Sequence, residues 1–226
     1  IGSTVFPVGS TEGRSLYGAT WALALLNAVV FYFEANHPNA SAFLEAWALY
    51  PQSFEYGTDP ASVLSLLSSA FLHGGILHLA ANLLYLWVFG SRVESRLGAP
   101  FFLLLYLSGA AVAGLTHVIT HPGSSTPVVG ASGAVSALLG AYTVYFPTSR
   151  VRILAPLLGI FFHFRVWVPA MAFIALWLAG QVSGIMASTS GIQPAAAVAW
   201  WAHLGGFAFG CFAALMLRDF RRPLPA

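Results

Sequence analysis

The sequence predicts an all-α integral membrane protein, a six-transmembrane-helix bundle with its N- and C-termini in the cytoplasm. Three observations carry that expectation. Of the 226 residues, 58% are hydrophobic and 7% charged, with a mean hydropathy of +0.78, a balance typical of polytopic membrane proteins. Apolar runs close to the length of a bilayer crossing recur along the chain. The nine basic residues, all Arg, fall on one side of the membrane when six of those runs are taken as spans. A formal charge of +2, without a basic run interleaved with aromatics, argues against nucleic acid as a partner. Cys211 is the single cysteine and lies in an apolar run, so it reports nothing about redox compartment.

Residues 1–13 read as an N-terminal tail without the charged-then-apolar layout of a signal peptide. The first span, 17–33, stops at Glu34, Asn36, His37 and Pro38. Within 40–50, Phe43, Trp47 and Tyr50 recur at helical spacing, as in a helix lying in the membrane interface or in ordinary loop packing. Asp59-Pro60 is a helix start, a capping carboxylate followed by Pro at the first helical position. The helix it opens, to about Leu72, carries Ser62, Ser65 and Ser69 along one side. His73-Gly74-Gly75 interrupts it.

The remaining spans are expected at 76–89, 101–119, 128–146, 166–185 and 198–217. The apolar run 153–164 is short for a crossing and contains Pro156 and Gly159, so it reads as interfacial or re-entrant. Arginine placement supports that count. Six spans put Arg14, Arg92, Arg96, Arg150, Arg152, Arg165, Arg218, Arg221 and Arg222 on the cytoplasmic side. The first loop, on the other side, carries Glu34, Glu45, Glu55 and Asp59. A seventh span would strand Arg165 and the C-terminal arginines outside. No repeat or linker divides the chain, so 1–226 reads as one domain.

Polar side chains inside spans are costly and usually line a functional interior. Four stand out: His78 and Asn82, four apart on one face of the second span, Ser132 heading the fourth, and His203 near the start of the sixth. Counted from the cytoplasmic ends at ~1.5 Å per residue, the three sites lie about 17–21 Å up, at a common depth. Small-residue faces offer close helix approach there: Ser132, Ser136 and Gly140 on the fourth span, Gly206 and Gly210 on the sixth. Ser132 sits in Gly130-Ala131-Ser132-Gly133, which suits either a plain helix N-cap or a nucleophile held beside helix-terminal amides.

A serine hydroxyl needs a base to accept its proton. His203 is the candidate, and no carboxylate lies at this depth, so the arrangement is a Ser–His dyad rather than a triad. Asn82, a ring N–H of His78 and the backbone N–H of Ser132 are candidate donors to an oxyanion. A zinc site on His73, His78 and His203 is the main rival; the chain lacks a helical His-Glu-x-x-His arrangement and nearby carboxylates. No phosphate-binding loop is present, and no cofactor is expected.

Phe71-Leu72-His73-Gly74-Gly75-Ile76-Leu77-His78-Leu79-Ala80-Ala81-Asn82, then Gly130-Ala131-Ser132-Gly133, then Ala202-His203-Leu204-Gly205-Gly206 together resemble the rhomboid intramembrane serine proteases. Val93-Glu94-Ser95-Arg96-Leu97-Gly98 is similar to that family's segment after the second span. The resemblance implies a six-helix rhomboid bundle, Ser132 as nucleophile, His203 as general base, and His78 and Asn82 in the oxyanion hole. It implies partners too: transmembrane protein substrates, cut near their outer ends within the lipid bilayer and approaching between the second and fifth spans. Glu94 and Arg96 match structural positions of the family.

Two departures stand out. The first loop has Trp47 and no Arg, where many members carry Trp-Arg. Ser136 occupies the position where some members stack an aromatic ring on the histidine, which leaves packing against Gly206 to orient His203. Two further readings compete: a non-catalytic rhomboid-like protein that binds membrane clients, and a small transporter. The transporter reading needs a polar path across the membrane, yet the inner halves of the spans are almost purely apolar. Water is expected to reach the site past the loop 186–197, with Ser188, Ser190 and Gly191. Arg without Lys points to a GC-rich genome and hence a bacterial cytoplasmic membrane.

Overall fold

A computed structural model describes residues 17–55, 59–157, 162–190 and 198–218. The expected tail 1–13, Arg14, Gly159, Arg221, Arg222 and positions 191–197 of the outer loop lie outside the described residues. The chain is predominantly helical. Four described helices are long and apolar enough to cross a membrane: Gly18–Ala35, Ile76–Leu97, Ala99–Thr120 and Ala170–Thr189. In chain order the elements are α1 (Gly18–Ala35), α2 (Ala40–Trp47), α3 (Pro60–Ser68), α4 (Ile76–Tyr85) and α5 (Ser91–Leu97). There follow α6 (Ala99–Thr120), α7 (Ser132–Tyr145), β1 (Arg150–Leu157), β2 (Phe162–Pro169), α8 (Ala170–Thr189) and α9 (Trp200–Met216).

The bundle is built around α7. Every residue from Gly133 to Tyr142 is buried. With 14 residues, α7 is only ~21 Å long; surrounded by other helices, it needs no lipid-facing band of full membrane thickness. Glycine makes the surround tight. A Cβ on Gly210 or Gly206 of α9 would be driven into the backbone of α7 at Ala137 or Gly133, and one on Gly140 into the backbone of α9 at Phe207. On the other flank a Cβ on Gly133 would lie 2.6 Å from Ala113 of α6. The helices therefore meet backbone to backbone, where many short dispersion contacts and weak Cα–H···O contacts replace the hydrophobic drive that is missing in lipid.

Two carboxylates fasten α1 at its ends. Glu94 of α5 accepts from the backbone N–H of Ala19 (2.9 Å) and Thr20 (2.8 Å) and from the Thr20 hydroxyl (2.6 Å). These are first-turn amides without intrahelical acceptors, and the negative charge complements the helix dipole. At the far end, Glu34 accepts from the backbone N–H of His73 at 2.9 Å. That end is also knitted by a bridge between Leu49 and Val128 and by Gly130 N–H donating to the Ser69 carbonyl at 2.9 Å.

Arginines gather at the Glu94 end. Arg92 lies 5.8 Å from the Phe146 ring and Arg96 5.3 Å from the Tyr145 ring, at the C-terminus of α7. Arg96 also reaches the Arg218 carbonyl, just past α9.

Several sequence boundaries move. The second span runs on through a π-helical turn at Leu86–Gly90 to Leu97, well past residue 89. The helix opened by Asp59, whose carboxylate accepts from Ser62 N–H at 2.7 Å, tightens into a 3-10 turn at Ser69–Phe71. Its serine side faces inward and its apolar Val63 and Leu64 face outward, half exposed. The fourth span begins as helix only at Ser132, because Val128 is held in the bridge to Leu49.

Of the run 153–164, expected to be interfacial or re-entrant, residues 153–157 and 162–164 are strand, and residues 158–161 lie outside the described residues. The described residues belong to an antiparallel pair, β1 on β2, with Arg150 opposite Pro169 and Leu157 opposite Phe162. The pair takes the first residues expected of the fifth span, so α8 starts at Ala170 rather than at 166. The alternation in Arg150-Val151-Arg152 and in His163-Phe164-Arg165-Val166 is a two-residue period, which favours strand over helix.

Candidate active site

Ser132 is the first residue of α7, preceded by Ala131 at the cap position, and its side chain does not cap the helix. That corrects the N-cap reading. The hydroxyl is directed elsewhere: Oγ lies 2.8 Å from Nε2 of His203, near the start of α9. The interlocked glycines of α7 and α9 make that distance possible, since both backbones are at contact one turn below. As the first residue of a helix, Ser132 brings first-turn amides without intrahelical acceptors to the site, at the positive end of the helix dipole.

Gly130 makes room on the other side. Its φ of +124° is a conformation that side-chain-bearing residues rarely adopt. A Cβ there would lie 2.6 Å from Cε1 and 2.8 Å from Nε2 of His78, and 3.7 Å from Ser132 Oγ. The His78 ring therefore covers the Gly130 backbone next to the serine. Asn82, one turn further along α4, is buried, and its Nδ2 donates to the His78 carbonyl at 3.1 Å. All four sequence-selected residues line one cavity of about 860 Å³, which also reaches Trp177, Trp200, Ser188 and Val198. Ser188 and Val198 lie on either side of the outer loop, the direction expected for water.

His203 has a partner besides the expected packing against Gly206. Its Nδ1 lies 2.7 Å from Oε1 of Gln181 on α8. Two indoles flank the ring: Trp177 at 6.0 Å between centroids and tilted 34°, and Trp200 edge-on at 6.4 Å. Ser136 uses its hydroxyl to donate to the Ser132 carbonyl at 2.6 Å. Sequence reasoning missed Gln181. The signal was available, because an amide inside the fifth span breaks the same rule that selected His78 and Asn82.

His73 is buried against His78, with ring centroids 5.2 Å apart. It stands in the loop before α4, where burial holds its imidazole down to about 4, in the neutral form. Among the described residues, no group of three His, Cys, Asp or Glu side chains converges as a metal site.

The family model described as Rhomboid domain matches residues 60–220. The chain is similar to presenilin-associated rhomboid-like protein A, mitochondrial, of Danio rerio, 32% identical over 69% of this chain and 38% of that protein. It is similar to rhomboid protein 1, mitochondrial, of Saccharomyces cerevisiae, 31% identical over 71% of this chain and 44% of that protein. A third relative is RHOMBOID-like protein 12, mitochondrial, of Arabidopsis thaliana, 28% identical over 81% of this chain and 57% of that protein. The chain thus spans about half or less of the length of the curated relatives it matches.

Proposed function

The chain belongs to the rhomboid family, and from that membership we propose that it is an intramembrane serine endopeptidase that cleaves transmembrane segments of membrane proteins. The single observation that carries the reading is the 2.8 Å contact of Ser132 Oγ with His203 Nε2 inside a cavity at a helix N-terminus. Ser132 Oγ attacks the carbonyl carbon of the scissile peptide while its proton passes to His203 Nε2. Negative charge then builds on the former carbonyl oxygen. This reading assigns the backbone N–H of Ser132, the Asn82 amide and the His78 ring, which line the same cavity, as the donors to that oxygen. Collapse breaks the C–N bond, and the amine leaves with the proton from His203. Water attacks the resulting ester on Ser132 and gives a proton to His203, which passes it to Ser132 Oγ as the ester C–O bond breaks, releasing the acid and restoring the serine hydroxyl.

A peptide in a regular helix hides its carbonyls in intrahelical bonds, so cleavage favours small residues in locally unstable helix. In this reading substrate approaches between α4 and α8, helices that carry exposed apolar side chains such as Leu77 and Leu84 on the first and Leu176 on the second. Six helices, α1, α4 with α5, α6, α7, α8 and α9, serve as the spans in this reading. The arginine-bearing end and both termini then face the cytoplasm, and the site lies toward the outer face. The protein is a membrane protein in any case. Its assignment to a bacterial cytoplasmic membrane rests on arginine use alone, and the relatives named above, all described as mitochondrial, give it no support.

Cleavage of a reporter transmembrane substrate in reconstituted vesicles tests the reading. Wild type cuts it and His203→Ala does not, and a chelator leaves wild-type cleavage intact. A wild-type protein that binds the reporter without cutting it would instead favour client binding.

A further inference from the structure

We infer that Gln181 is a positioning residue that completes a Ser132–His203–Gln181 relay by fixing the tautomer and orientation of the histidine. The inference rests on the protease reading. Gln181 lies on the inward stripe of α8 with Ala170 and Ile174 and is 5% exposed. Its Nε2 donates to the Trp177 carbonyl at 3.1 Å. A carbonyl only accepts and an amide NH2 only donates, so this bond decides which way the amide faces. Oε1 is therefore the atom 2.7 Å from His203 Nδ1. Oε1 carries no proton, so Nδ1 must supply the hydrogen. A neutral imidazole protonated at Nδ1 has a bare lone pair at Nε2, the atom 2.8 Å from Ser132 Oγ. Three contacts thus form one directed chain, from the Trp177 carbonyl to the serine hydroxyl.

Gln181 takes no proton in the reaction. When the serine proton reaches Nε2, the ring becomes an imidazolium, and the Nδ1–H bond to Oε1 turns into a stronger charge-assisted one. A carboxylate would stabilise that cation more, but an ionised carboxylate inside a span carries a desolvation cost that an amide avoids. This also accounts for the absence of an aromatic partner at Ser136: the ring is held from α8 by the amide and by Trp177 instead.

The test uses the full protein in vesicles, with Gln181→Met, which keeps volume but removes the acceptor, and Gln181→Glu, which keeps an acceptor. Reporter cleavage gives kcat and KM, and ring-nitrogen NMR of 15N-histidine protein reads the His203 tautomer, assigned with His203→Ala. Wild-type His203 is expected to be protonated at Nδ1 only. Gln181→Met is expected to mix tautomers and to lower kcat by about ten- to a hundredfold, about 1.4–2.7 kcal/mol, with little change in KM. Gln181→Glu is expected to recover much of the loss. A Met variant with wild-type kcat and nitrogen shifts, or a wild-type ring protonated at Nε2, overturns the inference. The wild-type tautomer decides the matter even where a variant does not fold. Failure of the protease reading looks different: wild type then neither cuts the reporter nor reacts with a fluorophosphonate, whatever its tautomer.

Discussion

Adding one methyl group at Gly210 should disable the site from about two turns away along α9. A Cβ there would lie 2.6 Å from the carbonyl carbon and 2.7 Å from the Cα of Ala137, where ordinary contact begins at 3.4 Å. These are backbone atoms of the most buried helix, so no side chain can swing aside. Helix α9 must retreat from α7 by roughly 1 Å, and the 2.8 Å bond between Ser132 and His203 lengthens past hydrogen-bond range. Overpacking of this kind costs about 1–3 kcal/mol, offset by about 1 kcal/mol from replacing a helical glycine with alanine. A misplacement of about 1 Å reduces turnover by about a hundredfold. The matched control is Gly180→Ala in α8, where nothing lies within 4 Å of the added methyl. Thermal unfolding in detergent and the rate of reporter cleavage check both. Gly210→Ala with wild-type rate and unfolding temperature would refute the backbone-contact account of how serine and histidine meet.

Gly130→Ala combines a strained φ with a clash on the His78 ring. It should lower the cleavage rate sharply and destabilise the fold by about 1–3 kcal/mol, read by the same two assays. Glu94→Ala removes the acceptor of three hydrogen bonds in a site 4% exposed. The orphaned amides should cost about 2–4 kcal/mol, seen as a lower unfolding temperature with kcat affected less than stability. The folded His73 sits at about 4, below the value of 6.5 for a free imidazole, so the unfolded chain binds the proton more readily. Its contribution to stability is complete above about pH 6.5 and is lost as pH falls toward 4. Unfolding temperatures measured across that window should slope less in His73→Phe than in wild type.

The parts of the fold written in composition were legible in the sequence. Long apolar runs survive any detail of packing, and α1, α6 and α9 lie within two residues of their expected ends. The four polar residues chosen for their depth do line one cavity. What failed was set by contacts distant in sequence. Nothing in residues 128–131 announces that Val128 pairs with Leu49, and that pairing delays the start of α7 and makes Ala131, not Ser132, its cap residue. The strand pair was hidden because an apolar run of a dozen residues fits either period, and the alternating Arg and His that distinguish them lie at its edges. Glu94 was legible as a structural position, but its acceptance of the α1 amides required knowing where α1 begins in space. Gln181 was overlooked because the serine and histidine already completed a dyad. Its amide has chemical meaning only once α8 is set beside α9.

The most direct measurement is active-site labelling by a fluorophosphonate, with the modified residue located by mass spectrometry. Wild-type protein should carry one phosphonyl group, on Ser132, and Ser132→Ala should carry none while unfolding at the same temperature. Equal labelling of the two, or a label on another residue, would contradict the assignment of Ser132 as the nucleophile.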